Sequence, residues 1–178
     1  KVTDEYIMAF RELWSAENPN FKGEYTEFSE IFFAPKPVQT PHPPIWIGGE
    51  SMPAIRRTAR LGDAWFPIGC NPHHPLDTIK KFSAGLDSLN SEAEKIDRDP
   101  ASIDLAFWAV WYGGNTPTML DSGERMVLTG NADDIAGDIK AFEELGVRHV
   151  LFNFLGATLE ESLGNMEGFA ANVMPLVR

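Results

Sequence analysis

Two glycines followed closely by a serine form the pattern in this chain best suited to binding a ligand. Gly48 and Gly49 end a short apolar run, and Ser51 stands where the next helix is predicted to begin. Glycines let a ligand approach the backbone, and a helix N-terminus offers unpaired N–H groups and a positive dipole end. The residues alone leave two interpretations: a phosphate-binding turn, or a structural turn in which Ser51 is only a cap. Glu50 opposes an anion unless its carboxylate points away.

The other residue types that could do chemistry lack the spacing of a known site. His73 and His74 are adjacent in a proline-flanked segment with no third ligand nearby, so we predict a solvated loop. Cys70 has no basic neighbour and is expected to be a small buried apolar side chain. His42 and His149 are expected to be packing or surface residues. No metal site and no nucleophilic triad is predicted.

Alternating apolar runs and amphipathic stretches would position the glycines and serine. Strands are predicted at 45–47, 64–68, 105–112 and 147–155, and Gly113-Gly114-Asn115 is predicted to end the third. The helices that follow are predicted at 51–61, 76–95, 131–145 and 159–177. This α/β order implies parallel strands with right-handed crossovers, either in an open doubly wound sheet or in part of a barrel. A full eight-stranded barrel takes about 250 residues, so this chain would hold about half of one.

The first 44 residues follow a different pattern. Thr3 is predicted to cap a helix with one buried stripe, made by Tyr6, Ile7, Phe10, Leu13 and Trp14. Residues 21–28 are predicted to be hairpin-like, and the five prolines between 35 and 44 require an extended connector. We expect one domain over 1–178, with helix, excursion and connector in 1–44 and four strand–helix units in 45–178.

Composition restricts the partners. Lys and Arg number 15 against 26 Asp and Glu, and the net charge of −11 repels nucleic-acid phosphates and anionic lipid, so neither is expected as a partner. A single cysteine excludes an internal disulfide, and no apolar run reaches the roughly 18 residues of a membrane span. The sequence therefore favours a cytoplasmic protein.

One long segment resembles a known family. Residues 33–67, with Pro44-Ile45-Trp46-Ile47-Gly48-Gly49 and Leu61-Gly62-Asp63-Ala64-Trp65-Phe66-Pro67, resemble the bacterial luciferase-like monooxygenases, most of all the deazaflavin-using branch. Residues 129–134 and 145–152 are similar to the last helix and strand of that family. The resemblance implies a (β/α) TIM-barrel fold, of which this chain would hold the last four strand–helix units. It also implies a cofactor at the strand C-termini with its phosphate near Gly48, Gly49 and Ser51, which favours the phosphate interpretation.

The activity implied by the resemblance is that of an oxidoreductase. Such an enzyme uses FMN or the deazaflavin coenzyme F420 to oxidise or reduce a small organic substrate. In the family, the first four strands hold most contacts to the flavin ring, and the resemblance does not include them. No catalytic residue is therefore assigned.

A half-barrel would leave two unpaired sheet edges and an exposed apolar inner face. We therefore expect a fragment, a complementing N-terminal half, or self-association into a homo-oligomer. One alternative function is a non-catalytic binding or assembly module that keeps only the packing pattern of the fold. Another is an unrelated doubly wound ligand-binding domain.

Overall fold

A computed structural model describes residues 1–112 and 116–177. The chain forms two compact units, Lys1–Ile45 and Trp46–Arg178. Gly113-Gly114-Asn115, predicted to end the third strand, lie outside the described residues.

The first unit contains one helix and one short hairpin. Its elements are α1 (Val2–Ser15), β1 (Phe21–Lys22) and β2 (Glu27–Phe28), and the two strands pair antiparallel. The predicted hairpin is thereby confirmed. Glu5 of α1 accepts hydrogen bonds of 2.8, 2.8 and 2.7 Å from the backbone N–H groups of the hairpin turn, Glu24, Tyr25 and Thr26.

Two predictions for α1 are wrong. Its N-cap is Lys1 and not Thr3. Its buried residues are Glu5, Ile7 and Ala9, whereas Tyr6 and Phe10 of the predicted stripe are 44% and 47% exposed. Glu5 faces the hairpin turn because three N–H donors there satisfy its carboxylate, and this contact turns Tyr6 and Phe10 outward.

The second unit consists of four strand–helix units in sequence. Its strands are β3 (Trp46–Gly48), β4 (Ala64–Phe66), β5 (Asp104–Ala109) and β6 (Val147–Phe152), and its helices are α2 (Met52–Leu61), α3 (Ile79–Glu94), α4 (Ala132–Glu144) and α5 (Leu159–Asn172). The strands pair in parallel in the order β3-β4-β5-β6. The predicted α/β class and the strand–helix alternation are confirmed.

The core lies on the helix-covered face of this sheet. Trp65 of β4 and Phe107 of β5 are fully buried, as are Phe82 of α3 and Phe142 of α4. The ring centroids of Trp65 and Phe82 are 5.4 Å apart, and those of Phe107 and Phe142 are 4.6 Å apart. These aromatic contacts attach α3 and α4 to the sheet.

The opposite face of the sheet carries an aromatic row with one residue from each strand. Centroid distances are 5.4 Å from Trp46 to Phe66, 6.1 Å from Phe66 to Trp108 and 5.2 Å from Trp46 to His149. Trp46 and Trp108 are each 39% exposed. We call these four residues the open face.

Several predicted elements are longer than the observed ones. The third strand ends at Ala109 and not at 112, and α3 begins at Ile79 and not at 76. The second strand ends at Phe66, before Pro67, which has no N–H to donate to a ladder. The last strand ends at Phe152. The last helix ends at Asn172, and a short 3-10 helix with Pro175 follows it. Leu163 and Met166 of its predicted inward stripe are 49% and 52% exposed, while Val173 is buried.

Candidate functional site

The turn between β3 and α2, which we call the glycine turn, comprises Gly48 to Ser51. Gly49 has a φ of +103°, a conformation that L side chains rarely adopt. A Cβ atom on Gly49 would also lie 3.0 Å from the Cβ of Ala54. Among the described residues other than its chain neighbours, a Cβ on Gly48 would come within 4 Å of the Phe66 carbonyl oxygen alone, at 3.5 Å. Gly49 is therefore required by the turn, whereas Gly48 leaves the backbone open to approach.

The helix that follows the glycine turn begins without a side-chain cap. Ser51 holds the N-cap position of α2, but its hydroxyl makes no capping hydrogen bond. Thr78 and Asn131, by contrast, accept capping bonds from backbone N–H groups at the starts of α3 and α4. Helix geometry leaves the N–H groups of Met52 and Ala54 without an intrahelical acceptor. The start of α2 thus combines backbone donors, a serine hydroxyl that does not cap the helix and the positive end of a helix dipole.

Glu50 does not direct its charge into the turn. Its carboxylate is buried, and Oε1 accepts a 2.7 Å hydrogen bond from the Ile68 N–H. Oε2 accepts a 2.6 Å hydrogen bond from Nδ2 of Asn71. Both partners lie in the segment after β4, residues 68–74, which we call the Asn71 loop. The carboxylate therefore points toward the Asn71 loop, which removes the objection that Glu50 raised against an anion in the glycine turn.

Strand register explains why the glycine turn and the Asn71 loop meet. Gly48 pairs with Phe66, so the two parallel strands end side by side. Segments that follow neighbouring parallel strands emerge at the same edge of a sheet, which is where α/β proteins bind ligands. The structure thus brings Gly48, Gly49 and Ser51 together at the carboxyl edge of the sheet.

The predicted solvent exposure of His73 and His74 is confirmed. His73 and His74 are exposed, and their backbone N–H groups donate to Oδ1 of Asn71 at 3.0 and 3.3 Å. His149 is exposed in the open face, and His42 is half-buried with its ring 6.2 Å from that of Trp14. Within 1–112 and 116–177 there is no group of three His, Cys, Asp or Glu residues that could hold a metal ion.

The prediction for Cys70 is wrong. Its side chain is exposed, because Cys70 lies in the Asn71 loop beyond the end of β4 and not in the core. The neighbouring Gly69 is buried, and a Cβ on it would collide with the rings of Phe107 and Trp111.

Two interactions escaped the sequence analysis. The Glu50–Asn71 bond joins residues 21 positions apart and has no local signal. Arg125 donates two hydrogen bonds to Asp138, at 2.7 and 2.8 Å, and Asp138 also accepts a 2.7 Å bond from the Leu128 N–H. The side-chain bonds to Asp138 are the main cause that raises the pKa of Arg125. This network fastens the segment before α4 to α4 itself.

An apolar groove lies elsewhere, on the helix side of the edge strand β6. Its volume is about 800 Å³, and Phe152, Phe154 and Phe169 line it together with Arg148 and Glu143. None of the glycine-turn residues lines it, so we assign the candidate site by the chemistry of the turn and not by cavity volume.

No helix in the described part of the chain is long and apolar enough to cross a membrane.

The architecture defines a class of protein: parallel strand–helix units with an open glycine turn at the strand C-termini, the arrangement of TIM-barrel folds. The model of the luciferase-like monooxygenase family matches residues 1–120, more than half of the chain. The chain belongs to the luciferase-like monooxygenase family. The family resemblance predicted from the sequence is confirmed.

Two relatives illustrate the range of the family. The chain is 26% identical to an FMNH(2)-dependent dimethylsulfone monooxygenase of Pseudomonas fluorescens, an alignment that covers 99% of this chain and 57% of the relative. It is 25% identical to an F420-dependent glucose-6-phosphate dehydrogenase of Nakamurella multipartita, with 85% of this chain and 53% of the relative covered. The chain thus spans little more than half the length of these two relatives.

A solved structure supports the fold. The coenzyme F420 dependent tetrahydromethanopterin reductase of Methanopyrus kandleri superposes with a TM-score of 0.71 over 99% of this chain and 62% of that one, at 12% identity. The predicted (β/α) TIM-barrel type, with about half a barrel in four strand–helix units, is confirmed.

Proposed function

We propose that this chain forms the cofactor-phosphate side of a luciferase-like oxidoreductase, with Gly48, Gly49 and Ser51 binding the phosphate of FMN or of coenzyme F420. The observation that carries the proposal is the uncapped start of α2 at an open glycine turn. Family membership supports the choice of ligand, since one relative is named as FMNH(2)-dependent and another as F420-dependent.

Each residue of the glycine turn has a distinct part in this proposal. Gly48 admits the phosphate to the backbone, and Gly49 supplies the positive φ that the turn requires. The hydroxyl group of Ser51 donates a hydrogen bond to a phosphate oxygen, and the N–H groups of Met52 and Ala54 donate further hydrogen bonds to the same phosphate. The turn holds the phosphate and orients the cofactor, while the bound flavin or deazaflavin supplies the hydride chemistry toward a small organic substrate.

The cofactor decides the reaction type. A deazaflavin does not readily activate oxygen, so F420 would make the enzyme a dehydrogenase or reductase, whereas FMN would permit oxygen insertion. We assign no catalytic residue among the described positions.

A fluorescence titration with FMN and with F420 tests the proposal. We expect saturable binding of one of them, with an affinity about tenfold lower in Ser51→Ala, because a hydrogen bond to a charged group is lost. The matched control is Thr158→Ala, since Thr158 caps α5 with a 3.1 Å bond to the Glu161 N–H. That control should lower stability by about 1 kcal/mol and leave the affinity unchanged. Failure of both cofactors to bind, or equal affinities in wild type and Ser51→Ala, would contradict the proposal.

The open face supports a second proposal, that of assembly. Trp46 and Trp108, each 39% exposed, and Leu151, 41% exposed, lie on the same side of the four-stranded sheet. Exposed apolar surface of this kind marks an interaction site. We propose that further strands complete the barrel over this face, supplied by a second copy of this chain or by a complementing N-terminal half.

Light scattering on the purified chain tests this assembly. A dimeric mass that returns to the monomer in Trp108→Glu is expected for a second copy. A monomeric mass in wild type would exclude self-association and favour a complementing N-terminal half.

Two further predictions from the sequence stay predictions: one domain over 1–178 and a cytoplasmic location.

A further inference from the structure

Glu50 is a buried charge within the glycine turn that the proposed phosphate contacts do not use. Burying a carboxylate is costly unless hydrogen bonds satisfy it. Glu50 meets this condition with one donor for each oxygen, the Ile68 N–H at 2.7 Å and the Asn71 amide at 2.6 Å. Because both partners donate, the residue at position 50 must accept twice, and a carboxylate does so without any preferred orientation.

Asn71 continues the network into its own loop. Its Nδ2 donates to Glu50, and its Oδ1 accepts from the backbone N–H groups of His73 and His74 at 3.0 and 3.3 Å. Reversing the amide would place a donor against those two N–H groups. The orientation of Asn71 is therefore determined from both sides, and the bonds form one directed chain from Glu50 to the backbone of the Asn71 loop.

We propose that Glu50 is a positioning residue, which holds the Asn71 loop against the glycine turn and thereby orients the peptide groups on either side of it toward the anion. Glu50 stands between Gly49 and Ser51, so any rotation of its backbone moves both ligand-facing neighbours. The effect of Glu50 on ligand binding rests on the proposed function. The link that Glu50 makes between the glycine turn and the Asn71 loop does not depend on it.

Transposing the two side chains gives a sharp test. In Glu50→Gln, the Gln amide and the Asn71 amide both present donors, unless one of them reverses and abandons its other partner. In Asn71→Asp, two carboxylates face each other. The double variant Glu50→Gln with Asn71→Asp restores complementarity, because the Gln amide donates to the Asp carboxylate and the Ile68, His73 and His74 N–H groups keep their acceptors. The charge of the pair also returns to that of the wild type.

Amide hydrogen exchange measures the link directly. We expect exchange at Ile68, His73 and His74 to become about tenfold faster in Glu50→Gln and in Asn71→Asp, and to return to within about twofold of wild type in the double variant. Unchanged exchange in Glu50→Gln, or a double variant no closer to wild type than the single variants, would overturn the inference. Should Asn71→Asp fail to fold, the comparison of Glu50→Gln with the double variant gives the same answer.

Titration with FMN and with F420, under conditions where every variant is folded, separates positioning from stability. We expect about tenfold weaker binding in Glu50→Gln and recovery in the double variant. Altered exchange with unaltered affinity would show a structural role alone and overturn the positioning role. Binding of neither cofactor by wild type would overturn the proposed function, and the exchange pattern would still support or overturn the link between the two segments.

Discussion

The indole Nε1 of Trp65 donates a hydrogen bond of 3.0 Å to the carbonyl oxygen of Gly49. Trp65 is fully buried and stacks on Phe82 of α3 at 5.4 Å, so the core of the second unit reaches the glycine turn directly. A buried indole N–H needs an acceptor, and here that acceptor orients the peptide at the centre of the candidate site. Packing of the core and the shape of the turn are therefore linked.

Replacing Trp65 with Phe should disturb both the packing of the core and the shape of the glycine turn. Trp65→Phe removes the donor to Gly49 and leaves a space beside Phe82, so we expect a loss of about 2 kcal/mol in stability and weaker cofactor binding. Urea denaturation and the FMN and F420 titrations measure the two effects. The control is Thr158→Ala, which removes a capping bond of α5, outside the glycine turn and the Asn71 loop, and should lower stability alone. Equal cofactor affinity in wild type and Trp65→Phe would refute the link.

Substitution by alanine should have opposite effects on stability at Gly49 and at Gly137. Gly49→Ala places a side chain at φ +103° and 3.0 Å from Ala54, so we expect it to destabilise the protein by about 1–2 kcal/mol. Gly137 lies within α4, and a Cβ there would meet no described residue within 4 Å beyond its chain neighbours and the backbone of its own helix. Gly137→Ala should stabilise the protein by about 0.5–1 kcal/mol. Thermal unfolding of the two variants checks the signs, and a neutral Gly49→Ala would disprove the constraint on the turn.

Glu5 should make the first unit sensitive to acid. Burial raises the pKa of Glu5, but backbone hydrogen bonds from Tyr25, Glu24 and Thr26 together bring it below its ordinary value of 4.5. Because the pKa is lower in the folded state, the stabilisation is fully present above the unfolded-state pKa and is lost as pH falls through the folded-state pKa.

Replacing Glu5 with Gln tests this pH dependence. Glu5→Gln should be less stable than wild type at neutral pH, and the difference should shrink as pH falls below the ordinary glutamate pKa of 4.5 and through the lower pKa of the folded state. Unfolding measured across that range detects the effect. Glu27→Gln, which removes an exposed carboxylate 3.2 Å from Lys22, serves as control and should follow wild type closely. Parallel profiles for Glu5→Gln and wild type over this pH range would show that the carboxylate does not make these bonds.

The Arg125–Asp138 ion pair should contribute more to stability than an exposed ion pair does. Asp138 is buried and accepts from both guanidinium nitrogens of Arg125 and from the Leu128 N–H. Asp138→Asn leaves these donors poorly satisfied, so we expect a loss of about 2 kcal/mol, moderated because Arg125 is 27% exposed. Arg148→Met breaks the exposed pair with Asp104 and should cost less than about 0.5 kcal/mol. Similar costs for the two variants, measured by urea denaturation, would contradict the ranking.

Local pattern was sufficient to predict most of the second unit. Strand–helix alternation follows from apolar periodicity, and α4 begins at the predicted position, where Asn131 and Asp134 form a capping box. Predictions were weaker where the chain leaves regular structure. Cys70 was expected to be buried, yet it lies in the Asn71 loop, and composition does not show on which side of a loop a side chain emerges.

For the candidate site, the sequence by itself determined the residue types: glycines where the backbone must turn and open, and a serine at a helix start. It also carried the family resemblance. Only the tertiary structure decided that Glu50 points toward Asn71, that Trp65 binds the Gly49 carbonyl oxygen, and that Glu5 faces the hairpin turn. The reason is physical: helix and strand periodicity arise between neighbours in sequence, whereas these contacts join residues 16 to 21 positions apart, and the first two depend on the parallel register that pairs Gly48 with Phe66.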